Sequence, residues 1–291
     1  MAKTNVVFIG GPDSGKTNYL LRLWLAMRAN HCGDFQIQNL PERLEYIESG
    51  MAYLYTGKFA ERTSKDLSLE SGSVTIPITV SQAGKEKSYD LFLPDVNGEM
   101  WKGVTETFEI SQEWKDQFEN SNGIVIFLRP SSEQIFQPLD WVTTGAIIES
   151  MGENPHANQI PTQVMLCEFL RILEHVFGGN GATLKSRISI VLTGWDAVSA
   201  DNQAEGPNEY LRKQFPLFAG KLRHLEDFEV AVFASSVFGG DPESDPQLRE
   251  KLQEYGLETS GYMIKDNSDG KLEETNNFFL PIEWALSFED N

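Results

Sequence analysis

Basic residues are scarce in this chain. Lys and Arg number 24 against 43 Asp and Glu, a formal net charge of −19. A surface with that balance repels phosphate backbones and anionic lipid, so no nucleic acid and no membrane is expected as a partner. The plain reading of the excess acid is solubility; an acidic docking face for a basic protein is the sharper alternative. Cysteine is nearly absent. Cys32 and Cys167 fall in predicted helix or helix-end sequence without metal-ligand spacing, and they imply no disulfide framework. Four scattered histidines, His31, His156, His175 and His224, carry no ligand spacing either. No apolar run reaches bilayer-spanning length. The opening MAKTNVVFIGG runs straight into a strand and leaves no room for a signal peptide, so the expectation is a cytoplasmic protein. Low-complexity tracts, internal repeats and dividing linkers are missing too. The 291 residues therefore read as a single domain, 1–291, with helical insertions at about 131–161 and 239–278.

What the chain does have is alternation. NVVFI (5–9), NGIVIFLRP (122–130), RISIVLTGWD (187–196) and FEVAVFASS (228–236) read as buried strands, short, continuous and β-branched. Helices are predicted over 16–29, 41–55, 101–119, 163–177, 207–226, near 245–255 and in the final FFLPIEWALSF, with another around 140–150. The helix at 16–29 is apolar almost all round, which predicts cover on more than one side. Two extended runs, 73–81 and 88–94, joined by a polar turn at Gly84, predict an antiparallel hairpin. Pro77 cannot donate to a ladder, so its run is expected to be an edge strand. Together these predict an α/β fold with a mostly parallel sheet and one antiparallel edge.

Between the first strand and the first helix lies GGPDSGKT, residues 10–17, which matches G-x-x-x-x-G-K-[ST]. Backbone N–H groups of Gly10, Asp13, Ser14 and Gly15 can curl around phosphate oxygens, and the helix N-terminus adds partial positive charge. Lys16 reaches the β- and γ-phosphates, and Thr17 offers a hydroxyl to Mg2+. A plain glycine turn would give no reason for a lysine at the mouth of an apolar helix. Further on, LPDVNGE ends the second hairpin strand. Asp95 at a strand end can hold magnesium, Gly98 can give its N–H to a γ-phosphate, and Glu99 then faces an attacking water. Taken alone, D-x-x-G is also an ordinary turn.

In their order along the chain, GGPDSGKT, the hairpin, DVNGE, TGWD and ASS resemble a Ras-like P-loop GTPase of the translation-factor-related class. GGPDSGKT with its long apolar helix, LPDVNGE and IEWAL are similar to bacterial double-GTPase-type proteins, which accompany partner proteins in conflict and defence operons. The resemblance implies a three-layer fold, GTP and GDP as ligands, magnesium, and protein partners that sense the switch regions. It also implies a guanine-reading loop in VLTGWDAV, with Thr193 and Asp196 in the [NT]-K-x-D pattern and Gly194 where the lysine belongs. Trp195 is a candidate to replace that lysine as cover over the base; the alternative for Asp196 is a helix N-cap. Ser235 and Ser236 match the first two positions of the S-A-K loop, or simply end a strand.

The switch threonine is expected in KFAERTSKDLSLES, as Thr63 with Ser64 and Thr56 as rivals, and it would join Thr17 and Asp95 at the metal. Arg62 is either an arginine finger in cis or a solvated surface residue. Pro12 replaces a usual glycine. Asp13 stands where potassium-activated members carry a cation-ligating asparagine; its oxygen can ligate a monovalent cation, or its charge can oppose the γ-phosphate. Trp24, Trp114, Trp141 and Trp284 read as core or partner contacts, and Trp101 with Trp114 would flank a partner-binding switch II helix. The resulting expectation is a GTP-hydrolysing switch with Lys16, Gly98 and Glu99 in catalytic roles. A nucleotide-binding scaffold with little turnover is the alternative, and a P-loop kinase fits the antiparallel hairpin less well.

Overall fold

The computed structural model describes residues 5–29, 34–37, 39–41, 43–60, 73–82, 85–94, 103, 104, 107, 109–133, 135, 160–177, 186–266 and 270–286. Among these, the strands are β1 (Asn5–Ile9), β2 (Phe35–Ile37), β3 (Val74–Gln82), β4 (Lys85–Leu93), β5 (Ser121–Leu128), β6 (Ser186–Thr193), β7 (Phe228–Ser236), β8 (Tyr262–Asp266) and β9 (Leu272–Thr275). The helices are α1 (Lys16–Arg28), α2 (Leu44–Tyr55), α3 (Gln112–Glu119), α4 (Thr162–Phe177), α5 (Ala200–Glu205), α6 (Pro207–Gln214), α7 (Pro216–Arg223), α8 (Pro246–Tyr255) and α9 (Leu280–Leu286).

All nine strands join one sheet in the order β2-β3-β4-β1-β5-β6-β7-β8-β9. Its centre, β4-β1-β5-β6-β7, is parallel. Side chains alternate across a strand, and the alternation splits the core in two. Val6 and Phe8, with Val125 and Phe127, pack under α1, α2 and α9. Val7 and Ile9, with Ile124 and Ile126, pack under α3, α4, α6 and α7. The result is the expected three layers.

The margins differ from the sequence reading. The hairpin β3–β4 is antiparallel as expected, but β3 is not the edge, because β2 pairs with it at residues 78–80. Pro77 is tolerated because that pairing stops at Ile37–Ile78, one residue short of the proline. The opposite margin is also antiparallel: β8 pairs with β7, and β9 with β8. The stretch expected as a helical insertion at 239–278 thus supplies α8 and a two-strand ribbon. The four residues of β9 are mostly exposed and present no alternating apolar face. The helix expected over 207–226 breaks at Phe215, and Pro216 opens α7 with its fixed φ.

Helix α1 is buried on every side, as its composition predicts. Tyr19 through Met27 are all at most 3% exposed, Arg22 included. Arg22 Nη2 donates to the carbonyls of Glu258 (3.0 Å) and Ser260 (2.7 Å), and its guanidinium lies 4.3 Å over the Phe278 ring. Burial pulls its pKa down to about 10, with Glu258 opposing the shift. The Tyr19 hydroxyl donates to the Phe278 carbonyl. Among the described residues no helix is long and apolar enough to cross a membrane.

Helix α9 lies hard against β5. A Cβ on Gly123 would sit 2.4 Å from the Ala285 carbonyl oxygen and 2.8 Å from the Ala285 Cβ. Gly123→Ala must therefore push the helix off the sheet, and a loss of about 1–3 kcal/mol is expected. Urea unfolding reads it as a lower midpoint at unchanged slope. A midpoint equal to the parent's would mean that α9 can shift at no cost.

Candidate nucleotide site

The strands β1, β4, β5, β6 and β7 run parallel, so their C-terminal ends share one edge of the sheet. Open α/β sheets bind ligands at that edge. Four described segments leave the sheet there: 10–15 after β1, 129–132 after β5, 194–197 after β6 and 237–240 after β7.

Segment 10–15 turns tightly into α1. Gly15 is left-handed (φ 81°), and a Cβ on it would lie 2.5 Å from Thr193 Oγ1. Only glycine satisfies both the dihedral and the approach. Thr193 Oγ1 donates to the Ser14 carbonyl at 2.7 Å, tying the end of β6 to the turn. Lys16 is 4% exposed; its ammonium donates to the carbonyls of Gly10 and Gly11, the latter at 3.0 Å. The cation is thus held inside the turn, where the Ser14 amide also donates to the Gly11 carbonyl at 3.3 Å, and no side chain among the described residues caps the α1 N-terminus. No acidic residue stands in the first turn of α1.

Asp13 is left-handed too, the one non-glycine residue so placed among the described residues (φ 57°). Short polar side chains tolerate that region best. Its carboxylate accepts from Arg129 Nη1 (2.8 Å) and from Ser132 Oγ (2.6 Å). The candidate ligand for a monovalent cation instead faces a guanidinium. Arg129 and Ser132 belong to no sequence motif; the pairing of β1 with β5 brings their loop to the turn.

Thr17 lies in the first turn of α1 and is hydrogen-bonded to the Tyr46 phenol of α2; burial raises the phenol's pKa and that bond opposes the rise. Beside it, Asn18 Oδ1 accepts from the Ala60 amide at 2.8 Å. The Phe59 ring is 4.9 Å from that of Phe238, and Lys58 is 3.9 Å from Glu243. Residues 58–60 therefore run between the start of α1 and the loop after β7. Arg62, Thr63 and Ser64, next along the chain, lie outside the described residues. The rival Thr56 donates its hydroxyl to the Tyr53 carbonyl (2.7 Å) at the exposed end of α2.

Thr193 of β6 and Ser235 of β7 are register partners, so the two expected base loops leave the sheet side by side. Trp195 and Asp196 sit in a 3-10 turn. Trp195 is fully buried, edge-on to Tyr210 at 5.2 Å, so it cannot cover a base as expected. Asp196 is half-buried, and none of the described residues donates a hydrogen bond to its carboxylate. It lies near Tyr262, whose phenol is pushed up to about 12 by burial first and then by Asp196 and Glu274. Ser235 Oγ is buried without a partner among the described residues, and Ser236 Oγ accepts from the Gly239 amide at 2.9 Å.

Strand β4 delivers the chain to the same edge, with Phe92 beside Val7. Asp95, Gly98, Glu99 and Trp101, which follow, lie outside the described residues, as does Trp141. Trp114 is in them and is 3% exposed, edge-on to Phe118 in the core. It is a packing residue and not the expected partner anchor.

A family model described as Double-GTPase 1 matches residues 7–285. No curated protein matches the sequence. Solved structures with similarity include Methanosarcina barkeri Roco2 RocCORdC bound to GDP, at 11% identity over 88% of this chain and 50% of that one, TM-score 0.31. A bacterial selenocysteine-specific elongation factor, EF-Sec, is 13% identical over 88% of this chain and 29% of its own, TM-score 0.35. The S. cerevisiae Ski7 GTPase-like domain, bound to GDP and inorganic phosphate, is 14% identical over 81% of this chain and 43% of its own, TM-score 0.38. The chain spans half or less of the length of each.

The Thr193–Ser14 bond is the direct tie between turn and β6. Thr193→Val keeps the shape and leaves a carbonyl without its donor, which is expected to cost about 1–3 kcal/mol. Amides of Gly11 and of residues 13–16 should then exchange hydrogen faster, as read by mass spectrometry. Unchanged exchange would mean that the turn holds its form without β6.

Proposed function

The chain belongs to the Double-GTPase 1 family, and on that premise we propose that it binds GTP and GDP at the 10–17 turn and hydrolyses GTP with magnesium, as a switch read by protein partners. One observation carries the reading: the phosphate turn, the TGWD turn and the ASS strand end meet at one sheet edge, joined by the Thr193–Ser14 bond and the Thr193–Ser235 register. The phosphates would lie on the α1 N-terminus, with Lys16 turning from the loop carbonyls to the β- and γ-oxygens. Asp196 would accept from guanine N1 and its exocyclic amine, a donor pair that adenine lacks. Backbone N–H groups near Ser235 and Ser236 would meet the guanine carbonyl.

The oxygen donors suit magnesium, a hard cation. Thr17, at the head of α1, would be one ligand, with Asp95 and Thr63 as the further ligands proposed. When bound, the ion neutralises charge that develops on the phosphates. Gly98 and Glu99 would contact the γ-phosphate and orient the attacking water. We assign the protein, read as one domain, to the cytoplasm and its partners to a bacterial defence or conflict system. The run from Lys58 to Ala60, pinned beside Thr17, would carry the nucleotide state toward Thr63. The alternative, a scaffold with little turnover, is separated by the assays below.

Binding tests the site. Lys16→Ala should abolish detectable binding of GTP, and Asp196→Asn should weaken GTP by about 1.5–3 kcal/mol, the worth of a hydrogen bond to a charged group. Calorimetry with GTP and ATP in magnesium reads both. Equal affinity for ATP and GTP in the parent would sink the guanine assignment. Turnover tests the chemistry: Glu99→Ala should slow phosphate release roughly a hundredfold with GTP affinity nearly unchanged. A parent protein that binds GTP but releases no phosphate would favour the scaffold.

A further inference from the structure

The guanine-reading turn lacks a lysine, and the structure shows what fills its place. A Cβ on Gly194 would lie 3.5 Å from Arg129 Nε, 3.7 Å from Arg129 Cγ and 3.9 Å from Ser131 Oγ. The stem of Arg129 therefore runs along the bare backbone of the turn. Its far end donates to Asp13 in the phosphate turn, while Ser132 holds the other carboxylate oxygen. Three loops, from β1, β5 and β6, converge on this one side chain. Gly194 is left-handed (φ 62°), so a lysine there would be strained, and its Cβ would already lie in van der Waals contact with Arg129. Glycine at 194 and arginine at 129 fit as a pair.

The arginine is held but not enclosed. Its side chain is 39% exposed and that of Asp13 is 37% exposed. The guanidinium thus keeps open surface between the phosphate turn and the turn that carries Asp196. Trp195, the aromatic residue of the Asp196 turn itself, is sealed in the core.

We propose that Arg129 is a specificity-determining residue of the nucleotide site: its stem and guanidinium form the wall against which the base lies while Asp196 reads the base edge. The proposal rests on the nucleotide reading above. A guanidinium is planar, delocalised and weakly hydrated, and it stacks on aromatic faces as an ammonium does not. The Asp13 carboxylate anchors its far end and balances its charge. Asp13 in turn is kept from opposing the phosphates, because its charge is spent on Arg129.

The test must separate base from phosphate. Arg129→Ala alone would uncover the Asp13 carboxylate next to the phosphates, so the comparison is made in an Asp13→Asn background. Calorimetry compares Asp13→Asn with Asp13→Asn/Arg129→Ala and Asp13→Asn/Arg129→Lys, each titrated with GDP and with inorganic triphosphate in magnesium. Loss of the arginine should weaken GDP by about tenfold or more and change inorganic triphosphate by less than about twofold. Lysine should recover little, since it restores charge without the plane. Equal loss for both ligands, no loss for either, or full recovery by lysine would each overturn the proposal. A parent protein that binds neither ligand would overturn the nucleotide reading itself.

Discussion

Helix α1 has no solvent face, and the rest of the site follows from that constraint. A helix buried from Tyr19 to Met27 can be translated or rotated only by opening the core. Its first turn, which begins at Lys16, is therefore fixed relative to the sheet. Gly15 and its contact with Thr193 lock the entry into the helix from the other side. The N–H groups that would meet phosphate are thus held in place before any ligand arrives, which is what preorganised electrostatic binding requires.

The same helix links regions far apart in sequence. Arg22 could have been a surface residue, yet it is buried and donates to two carbonyls at 258 and 260. Those residues lead into β8, which pairs with β7 just where the ASS segment leaves the sheet. Gly261 lies so close to Ser236 and Val237 that a Cβ there would meet their carbonyls at 2.5 and 2.3 Å. The base-side loop is thus braced by the β8 segment, and that segment is braced by α1. Arg22 thus joins α1, which the 10–15 turn enters, to the segment that braces the loop after β7. The run at 58–60 joins the same body through Asn18 and Phe238.

Much of this was legible in the sequence where a strong local signal existed. The central strands are continuous β-branched runs, and α1 has no polar face, so both were foreseeable from composition alone. The margins were not. β2 has three residues and β9 lacks a buried face, so neither leaves a periodic trace. Pro77 misled for a geometric reason: it excludes a neighbour at one residue, and β2 ends one residue away, at Ile37 opposite Ile78. In the candidate site, the turn at 10–17 was evident from its spacing, since the glycines, lysine and threonine fall at the intervals of one local pattern. Trp195 was misjudged because a sequence shows that an aromatic is near a site but not which way it points. Arg129 was invisible, because its partners come from two other loops and only the sheet order brings them together.

An acidic protein that takes up a polyanion must confine its positive field to one place. With a net charge of −19, the average surface repels a triphosphate. Screening limits that repulsion to about 8 Å at physiological salt, so the near groups decide. Here the near groups are selected by sign. The first turn of α1 carries no acid, Lys16 is held in the turn, and no side chain among the described residues caps the helix N-terminus. The carboxylate within the turn, Asp13, is matched by Arg129 at 2.8 Å, so it adds no uncompensated charge. On the proposed reading, the acidic remainder would repel phosphate-bearing polymers and lipid surfaces from the turn, while a small nucleotide would meet a field that is positive only at close range. By this account the charge balance and the local turn chemistry are two parts of one selection, and Arg129 stands where they meet.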